Sequence, residues 1–356
     1  MLLTTDEGHG AANVSRDGGA VNGGDNGMTY GGRKVMDSII YGPVPSRRLG
    51  HSLGINNIPP KTCSYSCVYC QLGKTTNMRI EREHFYEPEE IASSVKNKIR
   101  QVREKGEPID YLAFVPDGEP ALDANLGKEI ELLKSFGIKI AVITNASLIW
   151  REDVRQDLQK ADWVSLKVDA VSREIWHQID RPQKLLSLDK IHNGMLKFSD
   201  IFEGELVTES MLIQDINDNR QELDRIADFL AELGPNKSYL AIPTRPPAVK
   251  TVTAASEKTI NLAYQIFTER LSNVEYLIGY EGNAFAFTGN VEDDLLSITS
   301  VHPMREEGVT EFLKKANAGW DTIKDLIKDG RLIETEYEGR KFYMRKLPQS
   351  DRTPHS

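Results

Sequence analysis

The chain of 356 residues is poor in cysteine: it has three, all between positions 63 and 70. A secreted protein held together by disulfides has an even number of cysteines spread along its length, so this class is excluded. Long apolar runs are also missing, and runs such as 138-IKIAVIT-144 are far shorter than the about 20 residues of a transmembrane helix. The N-terminus lacks the basic and then apolar layout of a secretory signal. We therefore expect a soluble, cytoplasmic protein that has no membrane partner.

Positive charge is in short supply as well. Lysine and arginine number 44 against 53 aspartates and glutamates, which gives a net charge of −9. A general electrostatic hold on nucleic acid or on an anionic membrane is therefore not expected, although a local basic groove stays compatible with this balance. With 39% hydrophobic and 27% charged residues, most of the chain should be globular.

The chain divides into four parts that differ in composition and in the pattern of apolar residues. Residues 1–35 are rich in Gly, Asn and Asp without apolar periodicity, which predicts a flexible tail. Strand and helix patterns then alternate about six times across 36–290, and residues 349–356 read as a flexible C-terminus. The strand candidates are 52–55, 111–115, 138–144, 163–168, 206–213 and 239–242; the helix candidates are a stripe from Pro88 to Val102, and 125–135, 151–160, 188–198, 220–233 and 257–271. Such alternation predicts an α/β fold with parallel strands, either an open partial (βα)6 barrel or a doubly wound sheet.

The alternation stops near Val291. Helix patterns at 306–316 and 320–329 surround a turn at 317–319, and strands at 331–337 and 340–346 flank the turn at Glu338-Gly339. Two helices followed by a hairpin are typical of a winged helix, so we predict a small winged-helix-like domain over 291–348. Its second helix carries three acidic residues against two basic ones, which favours docking to a protein or a lid over the barrel above RNA binding.

The strongest motif is 61-KTCSYSCVYCQLG-73, in which Cys63, Cys67 and Cys70 follow the first predicted strand with the spacing C-x3-C-x2-C. A structural zinc site normally has four protein ligands, and His51 would have to serve as the fourth. A redox pair of Cys67 and Cys70 leaves Cys63 unexplained. Three thiolates on an iron–sulfur cluster would leave one iron of a cubane open to an external ligand.

This loop resembles the C-x3-C-x-aromatic-C motif of the radical S-adenosylmethionine (SAM) superfamily, with Tyr69 as the aromatic residue. The resemblance implies that the cysteines hold a [4Fe–4S] cluster in an open partial (βα)6 TIM-like barrel. It also implies that SAM chelates the fourth iron. An electron from a donor of the flavodoxin or ferredoxin type would then split SAM into methionine and a 5′-deoxyadenosyl radical, which abstracts hydrogen from substrate.

The same resemblance indicates SAM contacts at the ends of successive strands. The segment 114-FVPDGEPAL-122 resembles the Gly-Gly-Glu motif of the superfamily, with Asp117 in place of the first glycine. The candidate contacts are Tyr69, Gly118, Glu119, Pro120, Thr144, Asn145, Ser165, Lys167 and Asp169. For each segment the alternative is structural: an Asp-Gly turn, a helix start at Asn145, or a buried Lys and Asp that pair with each other.

The segment 41-YGPVPSRRLGHSLGINNIPPKTCSYSCVYCQLGKT-75 narrows the resemblance to a group of largely unassigned chemistry beside the tRNA wyosine-base synthases. The chain lacks the further cysteines of a second cluster. Tyr65, Lys167 and Arg245 are the candidates for a catalytic role. Three functions stay open: a radical SAM enzyme acting on an unidentified substrate, an RNA-modifying enzyme of that class, and an iron–sulfur sensor whose tail binds DNA.

Overall fold

The structure of the chain is a computed structural model that describes residues 29–30, 33–34, 39–278, 283 and 285–346. Its contacts divide the chain into two units, Met1–Val35 and Met36–Ser356. In the first unit, β1 (Thr29–Tyr30) pairs with β2 (Arg33–Lys34) as antiparallel strands. The other residues of the predicted 1–35 tail, and the predicted flexible stretch 349–356, lie outside the described residues.

The second unit is built on one eight-stranded sheet. Its first strands are β3 (Ile40–Ser46) and β4 (Gly50–Ile55), and the short pair β5 (Thr62–Cys63) and β6 (Asn77–Met78) lies apart. The remaining strands are β7 (Tyr111–Phe114), β8 (Lys139–Thr144), β9 (Trp163–Lys167), β10 (Glu205–Met211), β11 (Lys237–Ala241) and β12 (Val274–Leu277). The sheet order is β12-β11-β10-β9-β8-β7-β4-β3, and only the β3–β4 pair is antiparallel.

Helices form the crossovers between the parallel strands. They are α1 (Pro88–Glu104), α2 (Leu126–Lys134), α3 (Glu152–Leu158), α4 (Arg173–Ile179), α5 (Leu188–Ser199), α6 (Arg220–Leu233) and α7 (Glu257–Thr268). Helix α6 shows why they form where they do. The Asn219 side chain accepts from the backbone N–H of Glu222 at the start, and Gly234 ends the helix at φ 64°. The apolar stripe between these signals is buried.

The predicted α/β partial barrel is confirmed, and the doubly wound alternative is wrong. A doubly wound sheet reverses its strand order near the middle, whereas the strands from β4 to β12 follow one another in chain order. The sequence patterns missed the edge strands β3 and β12 and the helix α4. Pro43 and Pro45 argue against a strand at β3, but proline is tolerated at a sheet edge.

A buried layer closes the inside of the barrel below the candidate site. Small side chains face large ones there, since Ala113 and Ala141 lie beside Trp163, with Val207 and Tyr239 completing the layer. Because alternate residues of a strand point to the same face, the next inward positions above this layer on β9 are polar. The sheet therefore presents a packed floor with polar groups above it.

The C-terminal elements are α8 (Val291–Val301), β13 (Met304–Arg305), α9 (Glu306–Lys315), α10 (Asp321–Lys328), β14 (Leu332–Tyr337) and β15 (Arg340–Arg345), with the three strands in the order β13-β15-β14. The predicted helix pair and hairpin are present. The assignment as a winged helix and the boundary at 290/291 stay predictions. One apolar cluster joins these elements to the barrel, because Tyr41 and Val44 of β3 share it with Phe312 and Leu326.

Candidate active site

The cysteine loop follows β4 and forms one wall of a cavity of about 370 Å³ at the carboxyl ends of the strands. Cys63, Cys67 and Cys70 all line this cavity, and all three are half-buried free thiols. The loop is held to the end of β7 by backbone hydrogen bonds: Lys61 N donates to Asp117 O over 2.6 Å, and Glu119 N donates to Thr62 O over 3.1 Å. The structure thus brings the three sulfur atoms to one enclosed space.

Two of the thiols contact polar side chains. The Cys67 thiol donates to Asp180 Oδ1 at 3.3 Å, and Asn145 Nδ2 lies 3.5 Å from Cys63 Sγ. Burial, and then the charge of Glu119, raise the pKa of Cys63 to about 12, and burial also raises the pKa of Cys67 and Cys70. Metal binding to such thiols releases protons. Across the part of the chain that the structure describes, no three His, Cys, Asp or Glu side chains surround one point as ligands of a single ion do.

The Gly-Gly-Glu-like segment packs tightly against the cysteine loop. A Cβ on Gly118 would lie 1.8 Å from the carbonyl oxygen of Thr62, so only glycine fits there. Asp117, which replaces the first glycine of the motif, pairs with Asn56: Asn56 Nδ2 donates to Asp117 Oδ2 at 3.2 Å, and Asp117 N donates to Asn56 Oδ1 at 2.6 Å. The other carboxylate oxygen, Oδ1, receives no hydrogen bond from the described residues. Burial raises the pKa of Asp117 to about 7.

Glu119 joins the ends of β7 and β8. Its carboxylate accepts from the Thr144 hydroxyl, from Asn145 N at 2.7 Å and from Ala121 N at 3.0 Å. The last of these bonds caps the short 3-10 helix Pro120–Leu122. Burial raises the pKa of Glu119 to about 7, although these donors oppose the shift. The Glu119 carboxylate is therefore already hydrogen-bonded within the protein.

A charged cluster lies at the carboxyl ends of β9 and β10. Lys167 Nζ lies 2.9 Å from Glu209 Oε1 and 3.5 Å from Asp169 Oδ1, and 4.9 Å from the centre of the Tyr69 ring. The Tyr69 hydroxyl donates to Asp169, which also accepts from Met211 N at 2.7 Å. This network connects the aromatic residue of the cysteine motif to the ends of β9 and β10.

The charges in this cluster balance one another. Burial opposes the charged form of Lys167, but Asp169 and Glu209 outweigh burial and hold the pKa of Lys167 above its usual value. Burial likewise opposes the charged form of Glu209, yet Lys167 and the ion-paired Arg48 lower the pKa of Glu209 to about 2. The cluster keeps its ion pairs inside a low-dielectric site.

Arg245 and Tyr65 also line the cavity. Arg245 Nη1 donates to Gln71 Oε1 at 2.7 Å, and its Nη2 lies 2.8 Å from Nδ1 of His302. His302 follows α8, so the C-terminal elements contribute a wall of the cavity. The Tyr65 hydroxyl accepts from Trp176 Nε1 at 3.1 Å, and the Tyr65 side chain is buried.

The structure brings most of the predicted site residues to the cavity wall. Those that line it are Cys63, Tyr65, Cys67, Tyr69, Cys70, Gly118, Glu119, Thr144, Asn145, Lys167 and Arg245. Pro120, Ser165 and Asp169 are buried outside that lining, where Asp169 contacts Tyr69 and Lys167 from behind. His51 at the start of β4 is the fourth ligand that a zinc site would need. It lies outside the lining, and its side chain contacts Asp110.

Sequence reasoning missed several groups of the site. Arg48, Glu209, His302 and Asp180 are not among the candidate residues that the sequence indicates. The inward alternation of β10 could have indicated Glu209, because it occupies the position beside Lys167. Asp180 and His302 lie far along the chain from the cysteines, so no sequence spacing points to their contacts.

Among the described residues, no helix has the length and apolar character to cross a membrane.

Comparison with known proteins gives three kinds of match. The model of the radical SAM superfamily matches residues 57–243. The chain is similar to the UPF0026 protein MJ1312 of Methanocaldococcus jannaschii, with 51% identity over 88% of this chain and 98% of that protein.

Solved structures also match. A radical SAM methyltransferase from Sphaerobacter thermophilus aligns with a TM-score of 0.48 and 16% identity, over 65% of this chain and 69% of that one. A structure of TYW1 with a lysine-pyruvate adduct bound aligns with a TM-score of 0.48 and 16% identity, over 67% of this chain and 79% of that one. The family match and the relative at 51% identity decide the family. As the cysteine motif predicts, the chain belongs to the radical SAM superfamily.

Proposed function

We propose that this radical SAM protein is an enzyme that cleaves SAM reductively and abstracts hydrogen from a substrate held in the cavity. The observation that carries the proposal is the presence of three free thiols in the lining of one cavity, together with the Asp117 Oδ1 atom, which receives no hydrogen bond from the described residues. Cys63, Cys67 and Cys70 would hold a [4Fe–4S] cluster, whose soft sulfur donors suit iron. The specific substrate is left open.

The donor set fits such a cluster better than a single ion. Each thiolate of a four-iron cluster binds a different iron, so the three sulfur atoms need not converge on one point. His51 contacts Asp110 and does not line the cavity with the three cysteines, which leaves a zinc site without its proposed fourth ligand. When bound, the cluster would supply the electron that splits the sulfonium of SAM into methionine and a 5′-deoxyadenosyl radical.

The residues of the cavity would bind and orient SAM. Asp117 Oδ1 is a buried acceptor without a hydrogen bond from the described residues, and it suits the SAM ammonium group. Gly118 allows the chain to approach closely, as a backbone contact to the same group requires. Lys167 is held by Glu209 and Asp169, so its role is to position Tyr69 and the strand ends.

The apolar part of the wall would protect a reactive carbon radical from water. Val44, Leu49, Met211 and Leu277 line the cavity together with Tyr41, and His302 closes it from the C-terminal side. Exclusion of water and fixed geometry are what a hydrogen abstraction needs from the protein. Tyr65 and Arg245 remain candidates for contact with the substrate.

The test is anaerobic reconstitution with iron and sulfide, followed by SAM and titanium(III) citrate, with 5′-deoxyadenosine measured by liquid chromatography and mass spectrometry. The parent chain should bind four irons and form 5′-deoxyadenosine, and Cys67→Ala should lose both. Ser66→Ala is the matched control in the same loop, because the Ser66 hydroxyl accepts a bond from Thr75 N and lies outside the cavity lining. Stoichiometric zinc, or a complete cluster without SAM cleavage, would refute the proposal.

The two alternative functions remain predictions. RNA modification would need the C-terminal hairpin to contact RNA, and part of its positive charge is already paired, since Lys341 lies 3.0 Å from Glu334. A sensor without catalysis would bind DNA and leave SAM intact. The SAM cleavage assay separates this sensor from both enzymes. The cytoplasmic location of the protein also stays a prediction.

A further inference from the structure

Two of the exposed large apolar side chains belong to segments that contact the cysteine loop and lie outside the cavity lining. Leu185 is 74% exposed and Trp150 is 38% exposed. Trp150 borders a hollow of about 340 Å³ on the surface of α5, together with Lys190, Asn193 and Lys197. Gly194 lets α5 approach this point, because a Cβ there would lie 2.6 Å from the backbone nitrogen of Trp150.

Both exposed side chains belong to segments that are anchored to Ser64, the residue next to Cys63. Gln183 N donates to Ser64 O at 2.9 Å, and Leu185 follows two residues later. The hydroxyl groups of Ser64 and Ser147 are hydrogen-bonded, and Trp150 follows three residues after Ser147. The two segments therefore meet over the same point of the cysteine loop.

This point is on the side of the loop that faces away from the cavity. Cys63 and Tyr65 line the cavity, whereas Ser64 between them is fully buried and does not line it. The segment that covers the loop also contacts Cys67, through Asp180 Oδ1 at 3.3 Å from the sulfur. Leu185 and Trp150 thus lie on an outer surface that a short stretch of chain separates from two of the three thiols.

Three lysines lie around these side chains, in a chain whose net charge is −9. Lys184, Lys190 and Lys197 are exposed. Among the described residues none of the three forms an ion pair. Two exposed acidic residues are also close in sequence, Asp189 between Lys184 and Lys190 and Glu152 two residues after Trp150. We call Trp150, Lys184, Leu185, Lys190 and Lys197 the donor face.

We propose that the donor face docks a small acidic electron-carrier protein of the flavodoxin type, which delivers the electron to the cluster from outside the substrate cavity. This inference rests on the proposed function, since only a redox cluster needs such a partner. An apolar centre with a charged rim is the usual anatomy of a protein interface, and the lysines complement an acidic partner. The electron passes to the cluster and the carrier is oxidised by one electron.

The test uses the full chain with its cluster and a purified flavodoxin, reduced by its reductase and NADPH. The variants are Lys184→Glu/Lys190→Glu/Lys197→Glu and Leu185→Ser. Each should weaken flavodoxin binding in calorimetry by about ten-fold at low salt and lower flavodoxin-driven 5′-deoxyadenosine formation to match. The rate with titanium(III) citrate should stay within about two-fold, and 0.5 M NaCl should reduce the difference for the lysine variant.

A control of equal charge change is Lys96→Glu/Lys134→Glu/Lys258→Glu, which alters exposed lysines on α1, α2 and α7. It should leave flavodoxin binding within about two-fold. The docking proposal would be overturned if the donor-face variants bound flavodoxin unchanged, or if their 5′-deoxyadenosine formation fell equally with both reductants. It would also be overturned if the variants lost binding of tRNA and kept binding of flavodoxin. If the parent chain makes no 5′-deoxyadenosine with titanium(III) citrate, the proposed function fails, and calorimetry still tests the donor face.

Discussion

Lys167 on β9 and Glu209 on β10 are paired across neighbouring strands, and their charged groups lie 2.9 Å apart inside the barrel. Asp169 approaches the same ammonium group from behind, at 3.5 Å. One buried cation therefore serves two carboxylates, and Arg48 gives Glu209 a second partner. The cluster behaves as a unit, because removing any member leaves a buried charge uncompensated.

Replacement of this cation is the first prediction. Lys167→Met should lower the free energy of unfolding by about 3 to 5 kcal/mol, since Asp169 loses its ammonium partner. The double variant Lys167→Met/Glu209→Gln should lose less than the sum of the two single changes, as expected for coupled residues. Urea unfolding measures the free energy of unfolding of each variant. The control is Lys128→Met, which removes one partner of the exposed pair Lys128–Glu89. Strictly additive losses would contradict the coupling.

A second prediction concerns the join between β7 and β8. Glu119→Gln places an amide NH2 among the donors Thr144, Asn145 N and Ala121 N, so at least one buried donor loses its acceptor. The free energy of unfolding should fall by about 2 kcal/mol. Glu131→Gln on the surface, where Glu131 pairs with Lys160, should change it by less than about 1 kcal/mol. Equal changes in urea unfolding would show that the Glu119 network does not stabilise the fold.

The third prediction tests the contact of the Gly118 segment with the cysteine loop. In Gly118→Ala the new Cβ would overlap the Thr62 carbonyl, so the loop must shift, at a cost of about 1 to 3 kcal/mol. Iron incorporation should decrease with it, because Cys63 follows Thr62 directly. Gly319→Ala is the control, since a Cβ added at Gly319 would meet no described atom within 4 Å. Full iron binding by Gly118→Ala would mean that the contact is not needed to place the thiols.

The fold was predictable because its signals are local. The stripe Ile91, Val95, Ile99 and Val102 is buried in α1, and the predicted 220–233 helix has the bounds of α6. The sheet edges were missed for an equally local reason. The two prolines of β3 are typical of a loop, and β12 is four residues long with one buried side chain. Tertiary pairing at the sheet edge outweighed these weak propensities.

The candidate site was predictable only in part. Strand ends gather at one edge of a parallel sheet, so Thr144, Asn145 and Lys167 follow from the strand positions. The contacts of Asp180 with Cys67 and of His302 with Arg245 depend on how distant segments pack, and no spacing encodes them. Asp117 illustrates the same limit, because its partner Asn56 lies 61 residues away.

The last prediction is a pH dependence that originates away from the cavity, where Glu129 and Asp123 are buried together. Burial, and then the charge of Asp123, raise the pKa of Glu129 to about 10. Because the folded chain keeps a proton that the unfolded chain releases near its usual pKa, this contribution to stability is complete at acidic pH and is lost as pH rises toward 10. Glu129→Gln has no proton to lose. Its stability relative to the parent chain should therefore increase from pH 5 to 9 by up to about 1.4 kcal/mol per pH unit, measured by urea unfolding. Parallel stability curves for the two chains would show that Glu129 titrates alike in the folded and unfolded states.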